Sequence, residues 1–99
     1  MAKYELTNKA VQDLNNIWDY TFETWSEYQA DKYYEILLSS CQDIANNPEL
    51  GKNYTGITSK LYGVKVNRHI IFYRKSLDNT IEITRILHEQ MDLKNRIAE

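Results

Sequence analysis

Three short runs of alternating residues, broken by polar pairs, fill the last forty positions of this 99-residue chain and constrain its fold more than any other feature. Leu61 to Val66, His69 to Lys75 and Thr80 to His88 read as three β-strands. Val64 and Val66 flank Lys65, so the first strand has one solvated face. Asn67-Arg68 stands where a hairpin turn belongs, without the glycine that usually marks one. From His69 to Tyr73 both parities are apolar, Ile70 and Phe72 against Ile71 and Tyr73, as in a central strand covered on both faces. Asp78-Asn79 makes the next turn, and Ile81 and Ile83 then alternate with Glu82 and Thr84.

Ahead of these strands the period changes. Tyr4 and Leu6 share parity within Lys3 to Thr7 and predict an opening strand, with Thr7 placed to cap a helix. Val11, Leu14, Trp18, Phe22 and Trp25 fall within one quadrant of a helical wheel and predict a helix from Asn8 to Trp25. Tyr20 lies off that stripe. Ser26-Glu-Tyr-Gln29 has the capping-box spacing and starts a second helix, with core positions Ala30, Tyr33, Tyr34, Leu37, Cys41 and Ile44. Ile36 and Leu38 flank this face on either side, so the apolar arc is broad. Asn47-Pro48 ends the helix, because a residue before proline is pushed out of the α region. Glu49 to Lys60, with Gly51 and Gly56 among polar residues, reads as a surface loop. The predicted order is β-α-α-β-β-β with a short tail in one α+β domain: a helical hairpin packed on a small, mostly antiparallel sheet.

Composition narrows the function classes. A formal net charge of −2 argues against a broad nucleic-acid surface, which needs excess Lys and Arg. No signal peptide and no apolar run near a membrane span stands out, so a cytoplasmic protein without membrane contact is expected. The single cysteine, Cys41, falls on the core stripe and reads as a small buried hydrophobe. His69 and His88 are the only histidines, no metal-ligand spacing exists, and no nucleophile sits on a glycine-rich elbow. The sequence therefore assigns no catalytic residue, no metal and no cofactor. The aromatics Trp18, Phe22, Trp25, Tyr33 and Tyr34 are expected to fill the core, leaving Tyr20, Tyr28, Tyr54 and Tyr62 for surface contacts.

Arg85 stands out because strict alternation sets it on the face of Ile81, Ile83 and Leu87, where an unpaired charge costs several kcal/mol. It must pair with a carboxylate or sit beside a β-bulge that turns it outward. Lys65, Arg68, Arg74 and Lys75 put positive charge around the hairpin. A solvated face accounts for it, and a small phosphate-contacting cluster is the alternative. Asp92 is placed to cap one helical turn carrying Lys94 and Arg96; a lone exposed turn is marginal, so this tail is expected to add little to folding.

Nearly the whole chain resembles the RelE/ParE superfamily of toxins from type II toxin–antitoxin systems, and the ParE branch most closely. The resemblance is carried by Tyr4-Glu-Leu-Thr7, Asp13-Leu14, Ile17-Trp18-Asp19-Tyr20, Gln29-Ala30-Asp31-Lys32-Tyr33 and Asn47-Pro48-Glu49-Leu50-Gly51. Ile71-Phe72-Tyr73-Arg74, Arg85-Ile86-Leu87-His88 and Met91-Asp92 complete it. It implies a toxin held inactive in a hetero-oligomer by a ParD-like antitoxin, through which alone DNA is contacted. ParE-like members are described as poisons of DNA gyrase, RelE-like members as ribosome-dependent mRNA endonucleases; a non-toxic, antitoxin-binding member is a third reading. RelE-like sites use an arginine and a tyrosine towards the C-terminus, and Glu89 to Glu99 contains no tyrosine, which favours ParE-like action without chemistry. ParE-like tails often carry an arginine before Met-Asp, where this chain has Gln90. The reading assigns target binding to Arg68, His88, Met91, Asp92, Lys94 and Arg96, antitoxin binding to Tyr20, Ile36, Leu38 and Tyr62, and a structural charge to Arg85.

Overall fold

The computed structural model describes residues 2–54, 60–76, 78–91 and 93–98, positions 94 and 98 through their backbone alone. Strand β1 (Tyr4–Leu6) leads into helices α1 (Asn8–Thr24) and α2 (Glu27–Asn46). A single 3-10 turn (Pro48–Leu50) then precedes β2 (Lys52–Asn53), β3 (Tyr62–Val66), β4 (His69–Lys75), β5 (Ile81–His88) and α3 (Leu93–Ala98). The strands form one sheet in the order β1-β5-β4-β3-β2, with β1 parallel to β5 and the other pairs antiparallel. The α+β architecture is as expected, and β2 is the addition. Two residues of the segment read as a loop pair with Gly63 and Tyr62, forming the far edge of the sheet; Gly56 and its neighbours lie outside the described residues.

Local chemistry accounts for the boundaries. The Thr7 hydroxyl accepts from the Ala10 amide at 3.1 Å and donates to the Thr84 carbonyl at 2.8 Å, so one side chain starts α1 and ties it to β5. Ser26 caps α2 through the Gln29 amide at 3.1 Å. Past Asn47, the Tyr73 hydroxyl donates to the Pro48 carbonyl at 2.6 Å and accepts from the Gly51 amide at 2.8 Å, pinning the 3-10 turn against β4. The two hairpin turns do without glycine because asparagine takes the left-handed region, with φ of 54° at Asn67 and 66° at Asn79.

Both faces of β4 are covered. Ile71 and Tyr73 join Leu14, Leu37, Cys41 and Ile44 under the helical hairpin, while Ile70 and Phe72 pack with Leu61 and Leu87 on the opposite face. Between β4 and β5 the register slips: Phe72 faces Arg85, Tyr73 faces Ile83, and Thr84 is the extra residue of a bulge. The slip inverts parity along β5. Ile81, Ile83 and Ile86 all meet the helices, and Leu87 turns to the other side.

Two expectations are corrected. Phe22 and Trp25 do not fill the core; both are exposed, as is Val11, and Trp25 retains 74% of its surface. The buried face of α1 is formed by Ala10, Asp13 and Leu14, with Ile17 packed beside them, about 90° round the helix from the stripe of large residues. Trp18 stacks on Phe22 at 5.3 Å with nearly parallel planes and donates its indole N–H to Asp31 at 3.0 Å, so these rings pack along the hairpin itself. Tyr33 and Tyr34 do pack against the core, half-buried. The tail is the second correction. Leu93 and Ile97 of α3 pack onto the cluster of Leu61, Ile70, Phe72 and Leu87, so the turn covers the open face of the sheet and is not a free appendage. Residue 92, its expected cap, lies outside the described residues.

Candidate functional site

Arg85 meets both sequence alternatives at once. It stands beside the Thr84 bulge, and its guanidinium reaches Asp13 on α1 through Nε at 2.8 Å and Nη2 at 3.1 Å. Its Nη1 also donates to the Arg96 carbonyl in α3. Asp13 does a second job: Oδ2 accepts the Ile86 amide at 3.0 Å, where β1 has ended and the β5 edge would otherwise be open. The two side chains keep only 13% and 11% of their surface, so a low-polarity setting strengthens their attraction while making either alone costly. Arg85 thereby joins the helical hairpin, the sheet and the tail.

At the far end of β4 and β5, His69 and His88 sit opposite each other, their rings edge-to-face at 5.3 Å. The Tyr33 hydroxyl donates to the Val66 carbonyl at 3.2 Å and contacts His69 Nδ1 at 2.7 Å. The direction of that contact is set by the His69 tautomer. His88 is fixed in one tautomer. Its Nδ1 accepts the Gln90 amide at 3.1 Å, so Nε2 carries the proton. Burial, reinforced by the neighbouring His88, pushes the His69 imidazole down to about 4, so it is neutral at physiological pH. A metal would need an unprotonated nitrogen from both rings, which the Gln90 contact denies to His88 Nε2. Among the described residues no group of three or more His, Cys, Asp or Glu comes together to hold a metal ion.

These histidines line one end of a groove of about 440 Å³ between the tip of the helical hairpin and the β3–β4 turn. Tyr20, Trp25 and Ile36 make its apolar bank, Lys32 and Tyr33 rise from α2, and Asn67 and Arg68 close it from the turn. Four of the sequence-assigned residues, Tyr20, Ile36, Arg68 and His88, thus come together although they were assigned to two different partners. The others lie elsewhere. Leu38 and Tyr62 are half-buried against the main core, Tyr62 stacking on Tyr73 at 5.7 Å with the Lys75 ammonium 5.2 Å from its ring centre. Met91 is exposed beyond β5 and Arg96 on α3. Asp92 and the Lys94 side chain lie outside the described residues. Sequence reasoning missed Trp25, Lys32 and His69 as groove residues. For Trp25 a signal existed: it directly precedes the Ser26 cap, at the hairpin tip. Cys41 is buried, and desolvation pushes its thiol up to about 12, which keeps it out of any chemistry.

No helix among the described residues is long and apolar enough to cross a membrane. Residues 4–93 match the family described as ParE toxin of type II toxin-antitoxin system, parDE. Toxin ParE1 of Mycobacterium tuberculosis is 30% identical over 96 residues, covering 97% of this chain and 98% of its own. Toxin ParE1 of Caulobacter vibrioides is 30% identical over 98 residues, covering 99% of this chain and 100% of its own. The fold is similar to a solved chain of the chromosomal ParDE toxin–antitoxin system from P. aeruginosa, with a TM-score of 0.77 at 18% identity over 89% of this chain and 96% of that one. A chain of the toxin–antitoxin complex RelBE2 from Mycobacterium tuberculosis follows at a TM-score of 0.68 and 16% identity, over 88% and 96% of the two chains. With the family's pattern matched from β1 into α3 and the fold shared with solved relatives, this chain belongs to the ParE toxin family of type II toxin–antitoxin systems.

Proposed function

We infer that this protein is a cytoplasmic toxin that inhibits DNA gyrase by binding, without chemistry of its own, and that a ParD-like antitoxin neutralises it in a hetero-oligomer. Family membership carries the reading. The choice between the two toxic mechanisms is supported by the C-terminal segment. RelE-like sites use an arginine and a tyrosine towards the C-terminus, and here Glu89-Gln90 occupies the region where a basic catalytic residue would be sought, with no tyrosine from Glu89 to Glu99. The histidine pair does not replace it: His69, held neutral near 4, is a weak base at neutral pH. Arg68 and His88 in the groove, with Met91, Asp92, Lys94 and Arg96 beyond it, form the proposed target surface. Tyr20 and Ile36 form the antitoxin surface; Leu38 and Tyr62, occupied by core packing, serve it only at their exposed edges. DNA is reached through the antitoxin.

Purified protein should inhibit gyrase supercoiling or trap cleaved DNA while leaving mRNA on translating ribosomes intact. Cleavage of ribosome-bound mRNA at defined positions, with gyrase unaffected, would transfer the protein to the endonuclease class. Arg68→Ala separates the two further. An enzyme would lose much of its rate with a phosphate-stabilising charge, whereas loss of this exposed turn residue should leave stability almost unchanged.

A further inference from the structure

Three cationic side chains from three different elements meet on the open face of the sheet. Lys9 of α1, Arg74 of β4 and Arg85 of β5 wall a cavity of about 270 Å³, with Leu61 and Ile97 as its apolar side. We propose that this cavity binds a phosphomonoester group, held by the Lys9 ammonium and the Arg74 guanidinium. It shares no lining residue with the groove at the hairpin tip, and binding there does not depend on which target the toxin has.

Unmatched charge is the first argument. The chain carries 14 acidic residues against 12 basic ones, yet no Asp or Glu lines this cavity. Arg85 is matched by Asp13, whereas Lys9 and Arg74 have no carboxylate within ion-pair reach among the described residues. For Arg74 a partner was at hand. Glu82 stands opposite it in the β4–β5 ladder, and the two still form no ion pair; the Arg74 side chain lines the cavity instead. Lys9 breaks a local rule as well. It sits in the first turn of α1, where a cation opposes the helix dipole and no acidic side chain offsets it. Like charges gathered at one cavity repel each other and raise the local positive potential, and an anion bound there relieves both.

The arrangement of the donors selects the anion. They reach the cavity from α1, β4 and β5, so an occupant must offer oxygens in several directions. A carboxylate has its two oxygens in one plane and suits a single forked partner. A phosphomonoester presents three charged oxygens and nearly two negative charges at neutral pH. Arg74 meets such a group with its planar fork and Lys9 as a point charge, while Arg85, bound to Asp13, adds its field. A phosphodiester has only two free oxygens and a single charge, so a strand offering nothing but its backbone is the poorer match. The volume equals roughly nine waters, more than a phosphate group fills, and the side walled by Leu61 and Ile97 leaves room for an attached sugar. A free nucleotide and a 5′-phosphorylated nucleic-acid end share this chemistry.

Melting curves of the full chain test the site, with inorganic phosphate added to about 10 mM and compared with sodium chloride at equal ionic strength. The melting temperature should rise by about 3 °C with phosphate above its second pKa. Lys9→Gln and Arg74→Gln should each lower the affinity about fivefold, and the double variant should abolish the rise. Lys52→Gln, exposed on β2 and outside the cavity, should leave it intact. Phosphorus NMR titration with thymidine 5′-monophosphate should rank the variants in the same order without melting, so a variant of altered stability remains informative. Tighter binding of a 5′-phosphorylated oligothymidylate than of the mononucleotide would support a nucleic-acid end as the source, and binding no tighter would support a free nucleotide. A 5′-hydroxyl strand that binds as well as the phosphorylated one would overturn the phosphomonoester. So would a rise no larger than in chloride, or one that survives in the double variant and is therefore a general salt effect.

Discussion

Replacing Asp13 with alanine is expected to be the most damaging single change to the fold outside the apolar core. Its carboxylate accepts three hydrogen bonds, from Arg85 Nε, Arg85 Nη2 and the Ile86 amide. Removing it takes the carboxylate from a guanidinium with 13% of its side-chain surface exposed, which keeps the Arg96 carbonyl, and leaves an amide at the sheet edge without its acceptor. Breaking a buried pair from one side costs about 3–5 kcal/mol, and an abandoned buried amide about 1 kcal/mol more, partly overlapping with the first. An overall loss of about 4 kcal/mol is therefore expected, or roughly 15–25 °C in melting temperature for a domain of this size. Arg85→Ala should cost less, about 2–3 kcal/mol, because Asp13 keeps the Ile86 amide. The double variant Asp13→Leu with Arg85→Met should recover most of the stability, since apolar replacement removes the desolvation penalty with the attraction. Urea denaturation of the four proteins ranks their stabilities. A loss below about 1 kcal/mol for Asp13→Ala would mean that water reaches the pair, and the structural role given to Arg85 would be refuted.

Acid should weaken the fold through His69: its folded value near 4 lies below the ordinary 6.5, so its contribution is complete above 6.5 and is lost as pH falls towards 4. The ceiling of about 3 kcal/mol is discounted to about 1–2 for a half-exposed ring, and melts of His69→Asn across this window should lack the slope. Deleting Leu93 to Glu99 should destabilise the domain by about 2–3 kcal/mol, from two partly buried apolar side chains and one acceptor for Arg85; an unchanged urea midpoint would return the tail to a free appendage. Gly63→Ala would bring a methyl group to 2.7 Å from the Tyr54 ring and 2.9 Å from Ile70, and a loss of about 1–3 kcal/mol by chemical denaturation is expected.

What the sequence made legible was periodic or local. The two-sided burial of β4 was written in four consecutive apolar residues, and the caps at Thr7 and Ser26 in their spacing. The face of α1 was misread because its largest apolar residues are not the ones that meet the sheet. Ala10 is small, and Asp13 is polar, so both read as surface until Arg85 supplies the reason for burying them. A bulge beside Arg85 is only one of two alternatives in the sequence, because its signal is the fate of Arg85, which lies 72 positions from its partner. The groove has the same difficulty. Tyr20 to Ile36, Asn67 to His69, and His88 are three separate segments, and only the fold shows that residues assigned to two partners share one surface.

Asp13 combines two tasks that can be separated. β1 pairs with β5 only from Ile81 to Ile83, so beyond that point β5 is an edge strand whose next polar groups need partners. Thr7 takes the Thr84 carbonyl and Asp13 the Ile86 amide, doing with two side chains what a longer β1 would do with backbone. The second task is neutralising Arg85, and that one needs the charge. Asp13→Asn keeps an oxygen for the Ile86 amide and removes the charge, so it should cost about 2–3 kcal/mol, between the unaltered chain and alanine. Hydrogen exchange distinguishes the tasks. The Ile86 amide should stay protected relative to global unfolding in the asparagine variant and open locally in the alanine variant. Equal local opening in both would mean that the ion pair alone holds α1 on the edge, and that the amide contact follows from it.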